Sequence, residues 1–284
     1  MRHACFGSLV GLTLAVFWAP LTTLMHFTMR EEHYSHIILT PLISACLVAL
    51  ERKRIFSHVE THWRDGSALL IAGTLVYTLG QRHSGSASEN DQLSFAISGL
   101  VVIWLGTFVL CFGIRAFRGG LFPLLFLFLM VPIPDFLMDR AIVWLQTGSA
   151  EVSYAVFELV GVPVLRDGFI FSLPGVAIEV AKECSGIRSS LALLIMSLLA
   201  GHLVLRSAWT KTLLILAALP LLVVKNGIRI VTLSLLSIYV DPSFLMGSLH
   251  HQGGILFFFV ALGLLAFVLR SLQRLERSAG ADAV

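Results

Sequence analysis

The chain has 284 residues, of which 57% are hydrophobic and only 13% charged, with a mean hydropathy of +0.87. So few charges cannot solvate a globular surface of this size, which excludes a soluble domain and leaves an all-α polytopic membrane protein, because open sheet edges go unpaired in lipid. The formal net charge of +3 is no argument for nucleic acid, since the basic residues sit where membrane insertion favours them.

Apolar runs predict about eight spans, near 5–28, 37–50, 67–80, 92–113, 121–133, 187–205, 212–224 and 253–269. The second, third, fifth and seventh are shorter than the usual ~20 residues, so they must borrow flanking residues or be buried among neighbours. The first exceeds a typical signal-peptide core and no A-x-A site follows it, so it is expected to remain as a span. Between the fifth and sixth spans comes the largest polar interruption, 134–186. It follows the turn signal V-P-I-P-D and contains an amphipathic stretch near 140–160, with Ile142, Leu145, Val152, Val156 and Leu159 among polar neighbours. That pattern predicts a helix on the outer leaflet. The next stretch, R-D-G-F-I-F-S-L-P-G-V-A-I-E-V, alternates around Gly168 and Pro174 as a short hairpin does, carrying the chain up to Cys184.

Residues 226–246 are expected to form a re-entrant or interfacial segment, because a full crossing at 228–240 would put His250 on the opposite side from Cys184. No internal repeat or linker divides the chain, so a single integral-membrane domain over 1–284 is expected. Eight spans put both termini on one side. That side, with 51–66, 114–120, 206–211 and the C-terminal tail, holds 12 Lys plus Arg against 5 acids, and the other holds 8 against 12. Both termini are therefore expected to be cytoplasmic.

The residues fit for chemistry collect on the other side. Cys5, Cys46 and Cys111 fall near cytoplasmic span ends or inside spans, which leaves Cys184 without a disulfide partner outside. A lone cysteine is more often a small inert core residue. Here Ser185 and Gly186 read as helix-start residues, so a helix dipole and Arg188 one turn on would both favour thiolate. Arg229 closes K-N-G-I-R, and helical spacing puts Asn226 on its face. A snorkelling anchor is the plainer reading of an arginine, but the apolar run Ile230 to Leu236 continues past it, and charges within the membrane are usually functional. His250 and His251 precede Q-G-G-I-L-F-F-F. Each alone reads as an interfacial residue before it reads as a catalyst. The remaining histidines, His33, His36 and His202 among them, have no ligand spacing, so neither metal nor cofactor is expected.

Gathered at one membrane face, these groups favour a cysteine acyl-transfer enzyme. The alternative is a transporter or channel whose polar path is lined by Arg229 and His250, which predicts charges spread through the bilayer depth and often a repeat. A structural subunit glued by its polar residues is a third reading.

Cys184 within E-C-S-G-I-R-S, Arg229 within N-G-I-R-I and His250 within H-x-x-x-G resemble the three signature motifs of the exosortase/archaeosortase family of membrane cysteine transpeptidases. The resemblance extends to Y-S-H-I-I-L-T-P-L-I, L-M-V-P-I-P and L-V-G-V-P-V-L-R-D-G, and so covers about Tyr34 to Phe259. It departs at Ile37, where many relatives have glycine, and the doubled histidine leaves His250 and His251 as alternatives. The resemblance implies a catalytic set of Cys184, Arg229 and His250, to which the spacing and chemistry above add His251, Arg188, Asn226 and Ser185 as supporting candidates. It implies exported partners ending in a sorting signal of the PEP-CTERM kind, namely a short motif, a transmembrane helix and a basic tail, together with membrane lipids. The expected location is the bacterial cytoplasmic (inner) membrane with the site facing outward, and an acidic motif residue would meet Arg188 or Lys182. Hydrolysis and transpeptidation stay open.

Overall fold

The computed structural model describes residues 1–60, 63–82, 85, 87–241, 243 and 254–281. The chain divides into two compact units, Met1–Met138 and Asp139–Val284. Among the described residues five helices are long and apolar enough to cross a membrane, or up to seven if two bent helix pairs each count as one span. The protein is thus an all-α polytopic membrane protein with one small sheet, and the expected eight spans are not reached by that measure. The difference lies at 67–80, where the helix is 20 residues long but polar at both ends.

In the first unit, α1 (Arg2–Val16) and α2 (Trp18–Arg30) divide the first expected span with a bend of 72°. Pro20 explains the break, because its ring excludes the carbonyl four residues back, at Val16. α3 (Thr40–Leu50) follows a 3-10 turn over Glu32–Ile38, and the apolar span His33–Leu50 gains its length from that turn. The second expected span does borrow flanking residues. A short α4 (Arg52–Ile55) precedes α5 (Trp63–Arg82), which packs along α6 (Glu89–Gly119). Gly66, Gly73 and Gly80 lie on α5 opposite Gly99 and Gly106 of α6, and a Cβ on Gly73 would stand 2.8 Å from the Gly99 carbonyl oxygen. Small residues let two backbones touch, the main attraction available to helices in lipid.

α7 (Leu121–Phe126) runs into a 3-10 turn, Leu127–Met130, and stops at V-P-I-P-D. The two prolines end the helical ladder here, and side chains take up the carbonyls of the loop. Ser94 Oγ donates to Pro132 O at 2.7 Å, and Asn90 Nδ2 and Tyr34 Oη donate to Ile133 O at 2.7 and 3.1 Å.

α8 (Asp135–Val160) confirms the amphipathic helix, but its buried stripe is not only apolar. Leu145, Ala150 and Phe157 share it with Gln146, Ser149 and Ser153, whereas Leu159 is 86% exposed. The hairpin is a three-stranded antiparallel sheet, β1 (Leu165–Asp167), β2 (Ile170–Leu173) and β3 (Val176–Glu179), turning at Gly168 and Gly175. Its inner residues Phe171 and Leu173 pack with Phe157 of α8. α9 (Ile187–Val204), α10 (Ala208–Tyr239) and α11 (Gly254–Ala281) share a core of Leu193, Leu214, Ala218, Leu222, Ala261 and Leu265.

The expected re-entrant segment is overturned over 226–239, where α10 runs on as one helix of 32 residues. At 1.5 Å per residue it is about 48 Å long, well beyond a hydrocarbon core of about 30 Å. Its last turns need no reversal because protein covers them. Ile230 and Val231 join Phe157, Phe171 and Val180 in a second core, with Leu235 and Ile238 packed against it.

Candidate active site

The approach to Cys184 is fixed from α8. Gln146 Nε2 donates to Val180 O at 2.8 Å, which pins the chain as it leaves β3. A 3-10 turn over Lys182–Ser185 follows and contains Cys184. Gly186 then takes φ 72° and ψ 20°, a left-handed conformation open to glycine at little cost, and reverses the chain into α9. Ser190 N donates to Gly186 O at 2.9 Å and Ser189 Oγ donates to it at 3.0 Å, which closes the first turn of α9.

Gly186 also lies against the second motif. A Cβ there would stand 2.8 Å from Asn226 Oδ1 on α10, so the turn carrying Cys184 touches the K-N-G-I-R segment that carries Arg229. α8 grips the same segment. Asn226 Nδ2 donates to Ser149 Oγ at 3.0 Å, and Ser153 Oγ donates to Ser149 O at 2.7 Å and to Gly227 O at 3.2 Å. A Cβ on Gly227 would meet Val152 Cγ1 at 2.6 Å, so only glycine allows α8 this close. The glycines of both motifs are points of contact.

The structure thus brings Ser185, Gly186 and Asn226 together, with Cys184 two residues before Gly186 and Arg229 one turn beyond Asn226 on α10. Ser185 does not cap α9 as expected from its position. Gly186 is the N-cap, without a side-chain bond, and the Ser185 hydroxyl is buried with no partner among the described residues. Arg188 stands exposed in the first turn of α9. Arg229 is half-buried, and the helix does continue past it. His250 and His251 lie outside the described residues.

Several residues of this cluster were not singled out by sequence. Ser149, Ser153 and Gln146 occupy the amphipathic face that the pattern of Leu145, Val152 and Val156 already marked, but as polar residues they left no hydrophobic signal. Lys225 stands in the quoted motif and is only 7% exposed. Its ammonium donates to Ser189 Oγ of α9. Charge alone does not say which of two cations a turn apart is buried.

A family model of transmembrane exosortases matches residues 28–267, taking in the Cys184 turn, the Arg229 helix and the V-P-I-P loop. The chain belongs to the transmembrane exosortase family. No curated protein and no solved structure matches it. As an exosortase it is a multi-pass membrane enzyme of the general transpeptidase or protease kind, which answers the transporter alternative.

Proposed function

We propose that this exosortase is a cysteine endopeptidase or transpeptidase that removes PEP-CTERM-like sorting signals from exported proteins, with Cys184 as nucleophile. What supports the reading is the contact between Gly186 and Asn226, which joins the motif bearing Cys184 to the motif bearing Arg229. The apolar core of α9 and α10 brings the two segments close, but it does not require a buried asparagine at the point where they meet.

In this reading the Cys184 thiolate attacks the carbonyl carbon of a substrate peptide bond and forms a tetrahedral oxyanion. Arg229 donates hydrogen bonds to that oxygen, where a fixed charge in a dry site is worth far more than in water. His250, or His251 beside it, protonates the departing amine as the C–N bond breaks and leaves a thioester on Cys184. The same imidazole then takes a proton from the incoming nucleophile. Water gives proteolysis, and an amine or lipid head group gives transfer. The enzyme sits in the bacterial cytoplasmic membrane with both termini inside and this site outside. The substrate's own helix reaches it laterally from lipid, and Arg188 or Lys182 meets an acidic residue of its motif.

The test is processing of a co-expressed exported protein that ends in motif, helix and basic tail. Cys184→Ala is expected to abolish processing with membrane insertion intact, and Cys184→Ser to do nearly as much damage because a hydroxyl is far less ionised. Full cleavage by Cys184→Ala would remove Cys184 as nucleophile. His250→Ala and His251→Ala, compared in the same assay, separate the two histidines.

A further inference from the structure

The mechanism above leaves one buried cation unused. Lys225 lies in the middle of α10, 7% exposed, and lysine is almost never so buried without something to hold it. Snorkelling does not explain it, because the residue stands about 26 Å along the helix from Ala208 at 1.5 Å per residue, and its head turns inward. The stem lines an apolar slot with Leu221, Val224 and Ile228 of α10 and Phe257 and Val260 of α11. The ammonium leaves that slot and donates to Ser189 Oγ. An ammonium can only donate, so the hydroxyl is free to send its own hydrogen onward, and it does, to Gly186 O at 3.0 Å. The chain of bonds runs in one direction from Lys225 to the turn that follows Cys184.

Among the described side chains no carboxylate lies within ion-pair distance of Lys225. Arg229 stands one turn along α10 from Lys225, and in the sequence the charged residues flanking Cys184 are Lys182, Glu183 and Arg188. The α11 residues of the slot are uncharged, as are Ser149 and Val152 on the α8 face beside Asn226 and Gly227.

We propose that Lys225 is a positioning residue of the transfer reaction, holding the Cys184 turn through Ser189 and lending that turn a positive charge. The inference rests on the reading of Cys184 as nucleophile. Cys184 is two residues from Gly186, so its Cα lies within about 7.6 Å of the glycine's. A charge roughly 10 Å from a thiol in a poorly screened site moves its ionisation by about one pH unit.

The experiment uses the full chain in membranes with Cys5→Ala, Cys46→Ala and Cys111→Ala, so that Cys184 is the single thiol, and follows its alkylation by iodoacetamide against pH. Lys225→Met is expected to raise the alkylation midpoint by about one unit and to lower processing kcat more than it raises KM. Lys225→Arg is expected to restore the midpoint. Lys225→Gln keeps a donor for Ser189 but loses the charge, so it decides the matter even where Lys225→Met fails to insert. Its midpoint should also rise. An unmoved midpoint in inserted Lys225→Gln, or no recovery in Lys225→Arg, overturns the proposal. Cys184→Ala separates the two readings. If it still processes, the nucleophile is wrong, and if it is silent while the Lys225→Gln midpoint stays put, only the role of Lys225 falls.

Discussion

Two of the glycine-dependent helix contacts in this protein differ in what meets the missing side chain. At the α5–α6 seam the neighbours of Gly66, Gly73 and Gly106 are backbone and aliphatic carbon, such as Leu110, Ile103 and Leu69. At the α9–α10 contact the neighbour of Gly186 is a buried amide that donates to Ser149 Oγ, and Lys225 donates to Ser189 Oγ on the same two helices. The seam shows that close approach alone suffices to join helices in lipid. The second contact therefore carries polar groups that packing does not require. Two of them, the Ser185 and Ser190 hydroxyls, are buried without partners among the described residues, and each such group costs about 1–3 kcal/mol. Polar atoms kept at that expense, beside the motif cysteine, are where this fold departs from its own packing rule.

The comparison is broken most directly at Gly186. Gly186→Ala forces a left-handed backbone on an L-residue, about 1–2 kcal/mol, and drives a Cβ to 2.8 Å from Asn226 Oδ1. The expected outcome is a loss of processing of about 100-fold or more with membrane insertion intact, since a displacement of ~1 Å at a reacting group is enough for that. Processing at the parental rate would mean that the turn is not part of the reacting geometry. The matching change at the seam is Gly73→Leu, which would place side-chain atoms where the Gly99 carbonyl lies. Overpacking there should cost about 1–3 kcal/mol and appear as a lower midpoint of thermal unfolding in detergent. Processing should fall only in proportion to the folded fraction. A specific loss of processing with unchanged unfolding would erase the distinction between the two contacts.

How much of this was legible in the sequence follows the same division. Apolar run lengths located the helices, and V-P-I-P-D, Gly168 and Pro174 located the breaks, because proline and glycine act through their own backbone. Pro20 bent the first span unnoticed, as it sits within an otherwise apolar run. Keeping His250 on the same side as Cys184 made α10 read as two segments. The helix is continuous because Phe157, Phe171 and Val180 cover its far end, and that cover comes from residues many turns away in sequence. The Cys184 and Arg229 motifs were visible as strings, but their contact through Gly186 and Asn226 is a tertiary fact with no local signal. The polar stripe of α8 was hidden for the opposite reason. A serine on a helix face looks solvated until the partner helix is known.

A third contact, at the other end of α10, sharpens the comparison with the smallest expected effect. The Glu276 carboxylate on α11 accepts Arg206 N at 3.0 Å and Ser207 N at 2.8 Å, and it also accepts the Thr210 hydroxyl. These are N–H groups at the start of α10, where a helix leaves donors unmet and favours negative charge. Ser207 also caps α10 itself, but its hydroxyl accepts Trp209 N at a long 3.3 Å, so Glu276 is the stronger partner of this end. Glu276→Ala should therefore cost about 1 kcal/mol, the usual value of a lost cap, read as a lower unfolding midpoint in detergent. Processing should be unchanged. Lys225 and Asn226 stand about 26 Å up the helix from this cap, and their bonds to Ser189 and Ser149 fix their height on α9 and α8 without help from below. A fall in processing as large as that of Gly186→Ala would mean that α10 moves as a rigid rod, with its base setting the contact at Gly186.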